Sequence, residues 1–257
     1  MLGKSCMKTF IKIYWKTLLF FMIVGLVGGF FLGLYLLDSY PPEIQQELIN
    51  QGATELLLGI TTGIQSSIYG VVLGAAGIFF AKKIGLWKDE KTITKKPLII
   101  TIVFSVLGGL LLILPDLLFF NNYSEAIRDS YLTKPTIAYI LASVSYGAVI
   151  EEVMLRLFTM SLIAFVFNKI LKKEDKPTTT IFVLSNIVSA LLFAALHLPN
   201  TFILLGSDHL IIFRCFLLNG LFGLLFGYLY RKHGLRYAMI AHGGCHIVSK
   251  LIWILFV

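Results

Sequence analysis

Long apolar runs alternate with short polar links along the whole chain. A run of about 20 apolar residues is long enough to cross a bilayer as an α-helix. The pattern therefore predicts an all-α protein, a polytopic helical bundle in a membrane. We predict seven transmembrane helices, at residues 17–37, 53–81, 97–120, 136–171, 178–198, 210–230 and 237–257.

The composition agrees with that pattern. Of the 257 residues, 57% are hydrophobic and 14% are charged, and the mean hydropathy is +0.84. Soluble domains are about 45–50% apolar and about 25% charged. Because no repeat and no low-complexity tail divides the chain, we expect a single membrane domain over residues 1–257.

The net charge of +8 could indicate a nucleic-acid partner, but the placement of the charge argues against one. Lys and Arg are concentrated in the links, where they orient membrane helices with the basic side in the cytoplasm. Seven helices with a cytoplasmic N-terminus satisfy this rule at every link, whereas the alternative of eight would place two basic links outside. We therefore expect a multi-pass protein of the cell membrane, in contact with lipid. The orienting residues are Lys4, Lys8, Lys12, Lys16, Lys82, Lys83, Lys88, Lys91, Lys95, Lys96, Lys172, Lys173, Lys176, Arg231, Lys232 and Arg236.

Glycines recur four residues apart in several predicted helices. Such positions let helix backbones approach closely, so we predict that they mark helix–helix packing. They are Gly25, Gly29 and Gly33, then Gly59 and Gly63, Gly70 and Gly74, and Gly223 and Gly227.

The fourth predicted helix carries three charges in the sequence VIEEVMLRLF: Glu151, Glu152 and Arg156. A charged side chain near the bilayer centre costs about 2.5–3.5 kcal/mol on insertion scales. Glu152 and Arg156 are four residues apart on one helical face and can neutralise each other. Glu151 is left unpaired, which indicates a functional role.

Histidines occur in two other predicted helices: His197 in the fifth, and His242 and His246 in the seventh, followed one turn later by Lys250. If the fourth and fifth helices form an antiparallel pair around the link between them, His197 lies at the depth of Glu152. His242 is harder to place, because a simple path puts it about 22 Å from the level of His197. A strong tilt, a broken helix or an irregular path after residue 199 would bring them together.

Carboxylates beside imidazoles support two chemistries that both end in hydrolysis. A buried glutamate can act as general base on a water molecule while His and Arg stabilise the oxyanion. Alternatively, His and Glu can bind a divalent metal that lowers the pKa of the water, with the other glutamate as base.

Three motifs occur in order in the second half of the chain: Glu151-Glu152-x-x-x-Arg156, Phe193-x-x-x-His197 and Ala241-His242-x-x-x-His246. This arrangement resembles the CPBP family (CAAX protease and bacteriocin-processing, also called Abi) of intramembrane proteases. Those proteins resemble the type II prenyl-protein endopeptidases, which remove the last three residues after a prenylated cysteine. The resemblance covers residues 136–257, which would be the catalytic core.

By this resemblance the protein would be an endopeptidase acting on a membrane-associated peptide or protein, prenylated or of bacteriocin type. Glu151 would activate the water, with His197 as its partner. Glu152 and Arg156 would orient the site, and His242 would stabilise the oxyanion.

The last position of the family pattern is usually Asn or Asp, and here it is His246. An imidazole can donate the same hydrogen bond, and it ligates a metal more strongly than Asn does. In a metal-dependent form of the site, we expect zinc, held by Glu152, His197, His242 and His246.

Two other functions remain open. A non-catalytic protein of the same fold, such as a bacteriocin self-immunity factor or a membrane scaffold, is favoured slightly by the unusual His246. A proton-coupled transporter would also use intramembrane Glu and His. Transporters usually have two related halves, whereas here the polar residues are concentrated in the second half.

Overall fold

A computed structural model describes residues 4–88, 92–171 and 177–257, with side chains from Lys8 onward. The predicted orienting residues Lys91, Lys172, Lys173 and Lys176 lie outside the described residues, as does the side chain of Lys4. Across the described ranges every regular element is helical, which confirms the all-α prediction.

The long helices follow the predicted apolar runs. Shorter helices lie in the links, and residues 137–171 form an uninterrupted helical stretch of four segments. The elements are α1 (Lys4–Ser39), α2 (Pro42–Asn50), α3 (Glu55–Lys83), α4 (Lys95–Leu118), a 3₁₀ turn (Phe120–Asn122), α5 (Glu125–Ser130), α6 (Ile137–Ala142), π1 (Ser143–Glu151), π2 (Val153–Met160), α7 (Ser161–Leu171), α8 (Thr179–Leu205), α9 (His209–His233) and α10 (Leu235–Phe256).

Six helices of the described chain are long and apolar enough to cross a membrane: α1, α3, α4, α8, α9 and α10. The predicted count of seven, or eight, is therefore not confirmed. The difference lies in residues 137–171, where α6, π1, π2 and α7 replace a single long α-helix. The chain is a multi-pass membrane protein whose charged fourth stretch is locally irregular. Wide π-turns are frequently found at functional sites.

The predicted packing role of the glycines is confirmed where α1 crosses α3. A Cβ atom on Gly25 would lie 2.6 Å from the carbonyl oxygen of Ser66, and one on Gly70 would lie 2.7 Å from that of Phe21. Neither position has room for a larger residue. The same holds for Gly223 on α9, where a Cβ atom would lie 2.7 Å from Cα of Ala190 on α8.

The π-helical segments lie at the centre of the bundle. π1 packs against α1 and α10, and π2 packs against α3 and α8. Because neighbours surround it, the stretch has apolar side chains with no exposed surface, at Ile150, Val153, Leu157 and Met160. The charged residues between them are therefore held inside the protein, away from lipid.

α8 continues through Pro199 to Leu205, beyond its predicted end, and a short link leads to α9. His197 therefore lies about 12 Å inside the end of the helix, at about 1.5 Å per residue. The longer helix reduces the difference in depth that separates His197 from His242 in a simple path.

Candidate active site

A cavity of about 630 Å³ opens between π1, α8 and α10. Four of the six predicted site residues line it: Glu151, His197, His242 and His246. The other two, Glu152 and Arg156, are buried beside it. The structure therefore brings the three motifs together around one space.

Adjacent glutamates have different surroundings. Glu152 has no exposed surface, and one of its carboxylate oxygens accepts a hydrogen bond from Nδ1 of His242 at 2.9 Å. Its other oxygen lies 3.4 Å from Nε of Arg156, as an ion pair without hydrogen-bond geometry. Glu151 keeps 19% of its side chain exposed, and its Oε2 lies 3.9 Å from Nε2 of His242. Glu151 is thus the acid that can reach a water in the cavity.

Arg156 is held by aromatic rings as well as by Glu152. Its guanidinium lies 4.5 Å from the ring centre of Phe193 and 5.5 Å from that of Phe226. Guanidinium groups are stabilised over aromatic faces, most strongly where water is excluded. The contact with Phe193 also has the register predicted for the antiparallel pair, in which Arg156 lies level with Phe193, as Glu152 does with His197.

The ring of Phe193 lies near the rings of both His197 and His242, which a simple helix path would separate. Its centre lies 4.7 Å from the ring centre of His197 and 6.2 Å from that of His242. Nδ1 of His197 lies 2.8 Å from the carbonyl oxygen of Phe193, which can only accept. Nδ1 of His197 therefore carries a hydrogen, and Nε2 of the neutral ring has a free lone pair.

His242 and His246 lie one turn apart on α10, with ring centres 5.1 Å apart. A methyl group built on Gly147 would lie 3.6 Å from Nε2 of His246 and 3.7 Å from Nε2 of His242. The two nitrogens therefore converge on the space beside Gly147, one turn before Glu151. Sequence reasoning missed Gly147, although its position four residues before Glu151 was a signal for a shared face.

A second ion pair, between a buried carboxylate and a partly exposed arginine, lies beside the cavity, and sequence reasoning missed it. Arg214 on α9 makes two contacts of 2.5 Å with the carboxylate of Asp116 on α4, and Tyr131 donates a hydrogen bond to it at 2.9 Å. Burial and this carboxylate raise the pKa of Tyr131 above its ordinary value, so the phenol stays a donor. Asp116 and Arg214 are isolated charges inside predicted membrane helices, a signal that could have identified them.

The predicted metal ligands do not fit a metal ion in this arrangement. Among the described residues, no three His, Cys, Asp or Glu side chains are grouped so that they could hold one. Glu152 in particular has no exposed surface and faces Arg156 and His242. The zinc site therefore stays a prediction, and no catalytic step below depends on it.

Comparison with known proteins gives one match. Residues 133–248 match the family model described as type II CAAX prenyl endopeptidase Rce1-like. No curated protein and no solved structure matches the chain. The matched region contains every predicted site residue, and this similarity supports assignment of the chain to the CAAX protease (CPBP) family.

Proposed function

We propose that the protein is an intramembrane endopeptidase that hydrolyses a peptide bond of a membrane-associated substrate through a glutamate-activated water. The observation that carries this proposal is the difference between the adjacent acids. Glu152 is used to hold Arg156 and His242, whereas Glu151 is open to a cavity that three imidazoles share. A carboxylate that lines a cavity inside a membrane protein is a candidate general base.

In the proposed reaction, Glu151 takes one proton from the water while the water oxygen bonds to the peptide carbonyl carbon. Nε2 of His197 has the lone pair needed to accept a hydrogen bond from the same water. The carbonyl oxygen becomes an oxyanion, the C–N bond then breaks, and a proton passes from Glu151 to the departing nitrogen. The products are a carboxylic acid and an amine, so atoms and charge balance.

His242 can stabilise the oxyanion if it carries hydrogens on both nitrogens. Its Nδ1 donates to Glu152, so donation from Nε2 requires the imidazolium form. Glu152 contacts this ring at Nδ1, and Oε2 of Glu151 lies 3.9 Å from its Nε2. We propose that Glu152 holds His242 in the orientation that places its Nε2 beside Gly147.

The cavity has the size of an ordinary ligand site, which runs from about 300 to 1,000 Å³. It is large enough for a few residues of an extended peptide. The substrate we propose is the peptide tail of a protein held at the membrane, prenylated or of bacteriocin type. We also propose that the N-terminus and the basic links face the cytoplasm, since their charge follows the positive-inside rule.

A cleavage assay in liposomes tests the proposed function. The purified full chain is incubated with a quenched fluorescent peptide that carries a prenylated cysteine, or with the same peptide carrying an acyl anchor. We expect Glu151→Gln and His197→Ala to lose at least about a hundredfold in kcat, as is typical for the loss of a general base. Glu55→Gln, which changes an exposed glutamate at the start of α3, is the matched control and should keep full activity. Full activity of either site variant would refute the proposal.

A non-catalytic immunity or scaffold protein of the same fold is the second candidate, because His246 stands where the family usually has Asn or Asp. It predicts no cleavage of any anchored peptide by the wild-type chain. It also predicts that Glu151→Gln leaves the protection of cells against a bacteriocin unchanged.

A further inference from the structure

We propose that Lys250 is a positioning residue that fixes the tautomer of His246, so that His246 presents an N–H to the oxyanion in place of the usual amide. This inference rests on the proposed hydrolytic function for its role, but its structural part can be tested separately.

Lys250 lies inside the site and not at its edge. It follows His246 by one turn of α10, has 4% of its surface exposed, and lines the same cavity as Glu151. Its Nζ lies 3.4 Å from Nδ1 of His246. A lysine this deeply buried needs a compensating interaction.

That interaction is aromatic. Nζ of Lys250 lies 4.1 Å from the ring centre of Tyr139, and Tyr139 in turn stacks on Tyr35 with centres 4.4 Å apart and planes 16° apart. In the described part of the chain, no carboxylate forms a salt bridge with Lys250. The face of an aromatic ring attracts an ammonium group without neutralising it. The ring of Tyr139 therefore favours the ammonium form of Lys250 beside His246.

An ammonium group has three donors and no acceptor. The contact with His246 therefore requires a lone pair on Nδ1, and the hydrogen of the neutral imidazole must be on Nε2. Nε2 of His246 faces the space beside Gly147, 3.6 Å from the position of a Cβ atom there.

The ring of His242, one turn earlier on α10, uses its Nδ1 in the opposite way. Nδ1 of His242 donates to Glu152, whereas Nδ1 of His246 accepts from Lys250. His246 can thus donate from Nε2 while neutral. Asn would supply the same donor through its amide and would need no lysine partner. The pair of Lys250 and His246 is therefore a substitute for a single Asn.

A double-mutant cycle in the full chain separates positioning from packing. We expect Lys250→Met to lower kcat at least about threefold with little change in KM, because only the His246 rings that keep the hydrogen on Nε2 can still donate to the oxyanion. In the His246→Asn background, Lys250→Met should change kcat less than about twofold. An equal loss in both backgrounds would mean that Lys250 acts through packing alone, and the proposal would fail.

The tautomer itself can be read without any activity. The chain has five histidines, so ¹⁵N-histidine labelling with His246→Asn as the assignment control identifies the signals of His246 by NMR. We expect Nε2 protonated and Nδ1 unprotonated in the wild type, and a mixture of tautomers in Lys250→Met. A wild-type His246 with its hydrogen on Nδ1 would overturn the proposal, whether or not the protein cleaves peptides and whether or not Lys250→Met folds.

Discussion

Nδ1 of His242 donates a hydrogen bond of 2.9 Å to the carboxylate of Glu152, which connects α10 to the start of π2 between two buried side chains. Arg156 lies on the other side of the same carboxylate. Glu152 is therefore the common partner of two potential cations, and its role is to hold the site together. Glu151, its neighbour in sequence, lines the cavity.

Removing the carboxylate of Glu152 should destabilise the protein. The variant Glu152→Leu leaves the guanidinium of Arg156 buried without its counter-ion, and breaking a buried pair in this way costs about 3–5 kcal/mol. We expect a clear fall in the melting temperature of the detergent-solubilised protein. The double variant Glu152→Leu/Arg156→Leu should regain much of that loss, because no unpaired charge remains. A single variant as stable as the wild type would contradict this assignment.

Filling the space beside Gly147 should stop catalysis without unfolding the protein. The methyl group of Gly147→Ala would make ordinary contacts with Nε2 of His242 and of His246, so the fold has room for it. It would occupy the place where we locate the oxyanion, and we expect kcat to fall at least about tenfold. Gly220→Ala is the matched control, since a Cβ atom there meets no atom within 4 Å. Equal kcat values for the two variants would place the oxyanion elsewhere.

The close crossing of α1 and α3 should depend on glycine at the contact positions. In Gly25→Val the branched side chain would have to displace the backbone of Ser66, because even a Cβ atom comes within 2.6 Å of it. Overpacking of this kind costs about 1–3 kcal/mol. Thermal unfolding followed by size-exclusion chromatography measures the effect. Gly220→Val controls for the change in helix propensity and should remain close to the wild type.

Chelator treatment distinguishes the two ways of activating water. Glu152 contacts Arg156 and His242, and the described side chains include no group that could hold a metal ion. We therefore expect peptide cleavage to persist after dialysis against EDTA or 1,10-phenanthroline. Metal analysis of the purified protein should then give well under one zinc per chain. Loss of activity on chelation, restored by added zinc, would support the metal site predicted from the sequence instead.

Several features could be predicted from local sequence because their causes are local. The apolar runs predicted the positions of the long helices, since a run of about 20 apolar residues can cross a bilayer as a helix wherever it occurs in the chain. The four-residue glycine spacing predicted close helix packing, which is found at Gly25 and Gly70. The antiparallel pairing of the fourth and fifth apolar stretches predicted that His197 lies at the depth of Glu152, and the contact of Arg156 with Phe193 has the same register.

Other features required the assembled bundle. The length of the stretch only suggested that residues 137–171 follow an irregular path. The predicted number of membrane helices was not confirmed. The end of α8 was predicted too early, because Pro199 was taken as a boundary and the helix continues through it. The role of Lys250 depends on Tyr139, which lies on a different segment and has no sequence signal linking it to position 250.

The sequence by itself determined that this is a helical membrane protein and predicted the acids and imidazoles of its candidate site, because hydrophobicity and motif spacing are properties of short stretches of chain. Only the tertiary structure decided which of two adjacent glutamates faces the cavity and what the Nδ1 atoms of His197 and His242 contact. Those properties depend on what each polar atom contacts once water is excluded, and the contacts come from helices distant in sequence.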